Sequence, residues 1–203
     1  MKIYETKTAP NPRRVRIFLA EKQISDVEYI QLDLQNGDNL TPDFQSKNPL
    51  KKVPVLELDD GQYISETVAI CRYFEELSPN RPLMGSSPLE KAQIEMWQRW
   101  VEFYLFVPTG MCFQHTSGYF KDRMNPIKEW GEECRNQIVK FLNIMNTHLE
   151  ANTFLLGDNY CIADITAICA IDFNRVNRIT IPEDHSHLLR WYNAVSSRPS
   201  AKA

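Results

Sequence analysis

The sequence predicts a small α/β layer followed by an all-helical domain. Three observations carry that prediction. Residues 1–77 read as βαβ, then a break, then ββα. The stretch PNRPLMGSSP at 79–88 is rich in proline and serine and reads as a linker. Beyond it every apolar pattern has a helical period. The expected organisation is a domain over residues 1–78, a linker over 79–88 and a helical domain over 89–203.

Each element has its own signal. Lys2–Glu5 alternates and reads as a strand. Pro10-Asn11-Pro12 breaks the chain, and a helix is expected from Pro12 or Arg13, with Val15, Phe18 and Leu19 on one stripe. Glu28–Leu32 (EYIQL) is a second strand. Residues 35–49 are polar and hold Gly37, Pro42 and Pro49, so they form a loop with one helical turn near Pro42-Asp43-Phe44. Val53–Leu58 and Gln62–Ile64 are strands joined by a turn at Asp59-Asp60-Gly61. Ile70, Tyr73, Phe74 and Leu77 place a helix over Glu66–Leu77. Past the linker, Ile94, Trp97, Val101 and Tyr104 stripe one helix, with Pro108 and Gly110 marking an end or a kink. Ile138, Phe141, Leu142, Met145 and Leu149 stripe a second helix. Cys161–Asn177 is a third, and Leu188, Trp191, Tyr192 and Val195 stripe a fourth.

Bulk composition excludes several classes of function. A hydrophobic share of 43% and a charged share of 24% are ordinary for a soluble globular chain. A net charge of −3 gives no electrostatic reason to expect nucleic acid. No apolar run is long enough to cross a bilayer, and MKIYETKTAP lacks a signal-peptide core, so a cytoplasmic address and no membrane partner are expected. The five cysteines, Cys71, Cys112, Cys134, Cys161 and Cys169, form no CxxC pair and read as reduced, buried thiols. His185 and His187 have no third ligand nearby, and no metal is expected.

Three short motifs carry chemistry. In Val53-Pro54 the proline removes a ladder donor at a strand start, and a cis bond there would turn the Val53 backbone toward an extended peptide. The plainer reading is a trans proline on an edge strand. In Ser65-Glu66-Thr67, Ser65 is a good N-cap, so the free N–H groups beyond it would meet a carboxylate while Glu66 meets an ammonium. The plainer reading is that Glu66 favours the first helical turn through the macrodipole. Lys51 and Lys52 are placed to meet a second carboxylate, or are a solvated pair.

Taken together, these motifs resemble a known family. Asn48-Pro49-x-Lys51-x-Val53-Pro54, a hairpin, then Glu66-Thr67-x-Ala69-Ile70-x-x-Tyr73 resembles the thioredoxin-like domain of the glutathione transferase superfamily. Gly157-Asp158-x-Tyr160-Cys161-Ile162-Ala163-Asp164 resembles the capping box of that family's central helix, with Cys161 where Ser or Thr is usual. The likeness spans nearly the whole chain. It implies a cis Pro54, with Val53 holding the cysteinyl backbone of glutathione. Glu66 and Thr67 would hold the γ-glutamyl end, and Lys51 or Lys52 the glycyl carboxylate. It also implies glutathione as co-substrate, no metal, a homodimer, and an electrophile site carried by the helical domain. Tyr104 and His115, from the aromatic-rich stretch that also holds Phe106, Phe113, Tyr119 and Phe120, are the candidates there.

The reacting centre departs from the commonest pattern. A free thiol titrates near about 8.5, so the family supplies a donor that stabilises the thiolate. Ala9 falls in the usual serine slot and no cysteine lies nearby. Pro10-Asn11 resembles bacterial classes with a threonine-proline-asparagine run, which makes Asn11 the first candidate and Thr8 the second. The plainer reading of Asn11 is a cap of the first helix. The expected activity is attack of glutathione thiolate on a small hydrophobic electrophile, a peroxide or a disulfide. The alternatives are a binding module of the same fold without turnover and, below it, a zeta-like isomerase.

Overall fold

The computed structural model describes all residues, Met1–Ala203. The chain forms two compact units, one of Met1–Pro82 with Lys202–Ala203 and one of Leu83–Ala201. The α/β-then-helical order read from the sequence is the order found.

In the first unit four strands form one mixed sheet, in the order β2-β1-β3-β4. The strands are β1 (Lys2–Glu5), β2 (Glu28–Gln31), β3 (Val55–Glu57) and β4 (Tyr63–Ser65). β1 runs parallel to β2 and antiparallel to β3, and β3 pairs antiparallel with β4 with Val55 opposite Ser65. Side chains alternate across a strand, so the two faces of β1 have different partners. Ile3 and Glu5 are buried, and Glu5 is paired with Arg16 of α1 (Pro10–Glu21). Tyr4 points the other way, meets Phe44 of α2 (Pro42–Lys47) edge-on at 6.2 Å, and donates its O–H to Glu57 at 2.5 Å. α3 (Thr67–Leu77) packs on α1, and Ile70, Cys71 and Phe74 of α3 and Val15 and Phe18 of α1 are all buried. Its far end is tied by a buried ion pair, Lys22 to Glu75 at 2.6 Å, in which Lys22 also donates to the Asn80 carbonyl.

Three local readings are corrected. α1 starts at Pro10, two or three residues earlier than expected, because proline fits the first helical turn, where its missing N–H is not needed. Ser65 is not the cap of α3: it is the last ladder residue of β4, and Glu66 takes the cap position with φ 73°. Pro108 does not end its helix. α4 (Pro88–Val101) runs into a π turn at Glu102–Phe106, where the Val107 N–H reaches the Glu102 carbonyl, and helix α5 (Val107–Thr116) follows. The wider turn shifts the bonding register just before the residue that lacks a donor.

The second unit is built around α7 (Ile162–Phe173), in which every residue from Ile162 to Ile171 is buried. α6 (Lys128–His148) lies on α5 so closely at Gly131 that a Cβ there would fall 2.5 Å from Thr116 Cγ2. The carboxylate of Asp164 is wholly buried and collects donors from three segments. Its Oδ1 accepts from Trp191 Nε1 at 2.7 Å, on α8 (Ser186–Ser196), and from the Leu155 N–H at 3.1 Å. Its Oδ2 accepts from the Cys161 N–H at 3.0 Å, and the Cys161 thiol donates to the same oxygen at 3.4 Å. Burial pushes this carboxyl above its ordinary pKa, and the donors pull it back. The cysteine at the cap thus acts as a donor to Asp164. Asp164→Ala strands several buried donors and should lower the unfolding free energy by about 3–5 kcal/mol. A urea melt read by tryptophan fluorescence checks this; an unchanged midpoint would show that the carboxylate does not organise the unit.

Candidate functional site

Two of the candidate segments in the first unit lie at the starts of α1 and α3, joined by the Asn11–Thr67 contact. At α1 the cap position is Ala9, which offers no side-chain acceptor, and positions N1 and N3 are Pro10 and Pro12. Prolines have no N–H. The Arg13 N–H is spent on the Ala9 carbonyl at 3.4 Å. Asn11 therefore holds the one free backbone donor of that turn, at the positive end of the helix. It sits inside the helix rather than capping it. Its side-chain Oδ1 accepts from Arg14 Nη1 at 3.0 Å and from Thr67 Oγ1 at 3.4 Å, which leaves Nδ2 as a donor. Thr8 lies on an exposed turn closed by the Ala9 N–H on the Thr6 carbonyl at 2.9 Å. Tyr4 is committed to Glu57, and burial and that carboxylate push its phenol above its usual range.

At α3 the first turn presents the N–H groups that no helix can satisfy internally. Thr67 is first in the helix, buried at 5% exposure, and touches Asn11. Glu66 is exposed, and its carboxylate takes no part in capping. Its φ of 73° is a region that side chains other than glycine rarely occupy, and such conformations concentrate at functional sites. Here it lets β4 turn directly into the helix.

The Val53–Pro54 bond is cis, as the resemblance implies. The ladder begins at Val55, so the Val53 backbone lies outside it. Because Val55 faces Ser65 in an antiparallel pair, the chain at Val53 runs back alongside the start of α3. Lys51 also has positive φ, 58°, and two buried asparagines fix its loop. Asn39 Nδ2 donates to the Lys51 carbonyl at 2.8 Å, and Asn48 Nδ2 donates to the Lys52 carbonyl at 2.9 Å. Neither lysine ammonium is paired with a carboxylate; Lys52 is exposed and Lys51 half-buried. The arrangement offers two cations, an extended backbone edge, a helix start with an acid, and an amide. Those groups suit a short peptide with a carboxylate at one end and an α-amino acid at the other.

The structure thus joins Asn11 with Thr67, seats Glu66 beside Thr67, and runs Val53 and Pro54 toward them. Sequence reasoning missed Arg14, Asn39 and Asn48 as supports. Asn48 stood in the motif, but only folding shows which carbonyl it reaches. Asn39 carried no signal.

The helical candidates separate. His115, in the last turn of α5, accepts the Ile127 N–H on Nδ1 at 2.9 Å, which puts its own proton on Nε2 when neutral. Near it in sequence, Phe113 is ringed by Tyr119, Phe120 and Phe173, with centroids 5.4, 6.2 and 5.3 Å away. Tyr104 is not in that group. It stacks on Phe141 at 6.2 Å and, with Trp100 and Ile144, lines an apolar hollow of about 320 Å³. Phe106 is buried. No group of three or more His, Cys, Asp or Glu side chains is placed to hold a metal ion, and no helix is long and apolar enough to cross a membrane.

Comparison with known proteins places this geometry in a family. Residues 8–77 match the glutathione S-transferase N-terminal domain and residues 110–199 the C-terminal domain. Glutathione S-transferase 2 of Saccharomyces cerevisiae is 37% identical, over 100% of this chain and 88% of its own length. The crystal structure of Gtt2 from that yeast superimposes with a TM-score of 0.94 over 100% of this chain and 99% of its own. A glutathione S-transferase domain-containing protein of Marinobacter aquaeolei is 39% identical, with a TM-score of 0.95 over 98% of this chain and 99% of its own. With both halves matched and a relative of such identity aligned end to end, the chain belongs to the glutathione S-transferase family.

Proposed function

We propose that this transferase holds glutathione on its first unit and activates the thiol with Asn11. The observation that carries the reading is the Asn11–Thr67 contact, which sets the amide donor beside the helix start suited to the γ-glutamyl end. Glu66 takes the ammonium, and the Thr67 hydroxyl and the first N–H groups of α3 take the γ-glutamyl carboxylate. The Val53 backbone pairs with the cysteinyl residue, and Lys51 or Lys52 meets the glycyl carboxylate. The thiol loses its proton to solvent. Asn11 Nδ2 and the start of α1 then stabilise the sulfur anion. Sulfur forms a bond to the electrophilic carbon as the leaving group departs with its electron pair. Thr8, exposed on the turn before α1, is the lesser candidate.

The electrophile is a small hydrophobic molecule, received by the helical unit at the Phe113, Tyr119 and Phe120 cluster with the His115 Nε2–H as a polar contact. This use, the removal of reactive compounds in the cytoplasm, agrees with five buried cysteines that form no disulfide, which suits a reducing compartment.

We assign Tyr104 to a second role. Met96, Trp100, Phe103, Tyr104 and Val107 expose 39–57% of their surface at helical spacing along one face, with Ile144 beside them. An apolar stripe of this kind marks an interface, and a second copy of this chain is the occupant that a homodimer requires.

Asn11→Ala should lower kcat/KM roughly 10- to 100-fold at neutral pH, with the glutathione Kd nearly unchanged. The deficit should close as pH rises past about 8.5, where the thiol ionises unaided. Steady-state rates with a chromogenic electrophile across pH read this; a silent Asn11→Ala beside an impaired Thr8→Val moves the role to Thr8. Glu66→Gln should weaken glutathione binding about tenfold by calorimetry, through loss of a charge-assisted bond. Unaltered affinity removes Glu66 from the site, and binding without turnover on any electrophile, peroxide or disulfide would favour a pure binding module. Trp100→Glu should convert a dimer to a monomer in sedimentation equilibrium while the far-ultraviolet dichroism is kept. Persistence of the dimer excludes this face.

A further inference from the structure

The Asn11 amide is nearly symmetric in shape and opposite in polarity at its two ends. Which end meets sulfur decides whether it helps or harms a thiolate. Nδ2 donates, whereas Oδ1 facing S⁻ repels it. Inside the fold one neighbour settles the choice. Arg14 lies three residues along α1, is 3% exposed, and directs Nη1 to Asn11 Oδ1 at 3.0 Å. A guanidinium has five donors and no acceptor. The contact exists only with the amide oxygen turned inward. Half a turn of the amide would set its NH2 against a buried guanidinium, donor against donor. Thr67 cannot make this choice, because a hydroxyl accepts as readily as it donates. Its bond at 3.4 Å follows the orientation that Arg14 sets.

We propose that Arg14 is a positioning residue for the transferase reaction. It fixes the polarity of the Asn11 amide so that the donor end meets the glutathione sulfur. This rests on the reading of Asn11 as thiolate donor given above. Arginine suits the task better than lysine, since its rigid fork is weakly hydrated and tolerates burial.

The test reads the bound thiol directly. The ultraviolet absorption of the thiolate is followed against pH in the protein–glutathione complex, with no electrophile present, and calorimetry gives the glutathione Kd. Arg14→Met should cut the thiolate fraction at neutral pH by roughly tenfold, a rise of about one pKa unit, with the Kd changed less than about threefold. Arg14→Lys should recover part of the loss, and it serves if the methionine variant does not fold. Asn11→Asp, which presents an oxygen in either orientation, should raise the thiol pKa further than Asn11→Ala does. In an Asn11→Ala background Arg14→Met should add nothing.

Two results overturn the positioning role and leave Asn11 standing. One is an unmoved thiol pKa in Arg14→Met while Asn11→Ala raises it. The other is an equal rise from Arg14→Met with and without Asn11, which would mean that the guanidinium acts on sulfur by its charge alone. An unmoved pKa in Asn11→Ala instead removes the reading beneath.

Discussion

Two prolines strip the first turn of α1 of its backbone donors except the N–H of Asn11, and that constraint shapes everything around the site. A helix start is electropositive, and four free N–H groups usually spread that field over a broad mouth. Here it is narrowed to one residue, which adds a side-chain amide of its own. The oxygen of that amide is held by Arg14 and by Thr67 of the neighbouring helix. The starts of α1 and α3 are therefore joined through one side chain, a floor fixed by hydrogen bonds.

Rigidity around this floor has a cost. Lys51 and Glu66 both hold positive φ, where a side chain crowds the backbone by roughly 1–3 kcal/mol. The surroundings offset it. Asn39 and Asn48, both buried, hold the Lys51 and Lys52 carbonyls, and Val55 pairs with Ser65 immediately before Glu66. In the proposed reading Glu66 and one of Lys51 and Lys52 take opposite ends of the peptide. On that reading both charges stand on backbone already fixed before binding, so no long loop has to order around the ligand.

The helical unit solves a different problem. Its central helix is buried along most of its length, so the start of that helix has no water to satisfy it. Asp164 supplies the missing acceptor and in doing so fastens α7 to α8 and to the loop at Leu155. With the centre fixed, the outer surfaces are free to differ. One carries the Phe113 aromatic cluster and another the exposed stripe through Trp100 and Tyr104.

The sequence by itself determined the order of elements and the change from α/β to helix after the linker. It could do so because these depend on local chemistry: apolar period, proline and glycine punctuation, and the demands of a turn. Its errors are local contests that neighbours decide. Ser65 has good capping chemistry, yet pairing with Val55 holds it in the sheet. Pro108 breaks an α register, yet a π turn absorbs it. Tyr104 and Phe113 lie nine positions apart in the sequence and pack against different helices, which aromatic content cannot reveal. Arg14 looked like any charge on a helix. Only tertiary packing buries it, because burial depends on residues distant in the chain, and a guanidinium kept from water then turns to the nearest acceptor, Asn11, one helical turn away.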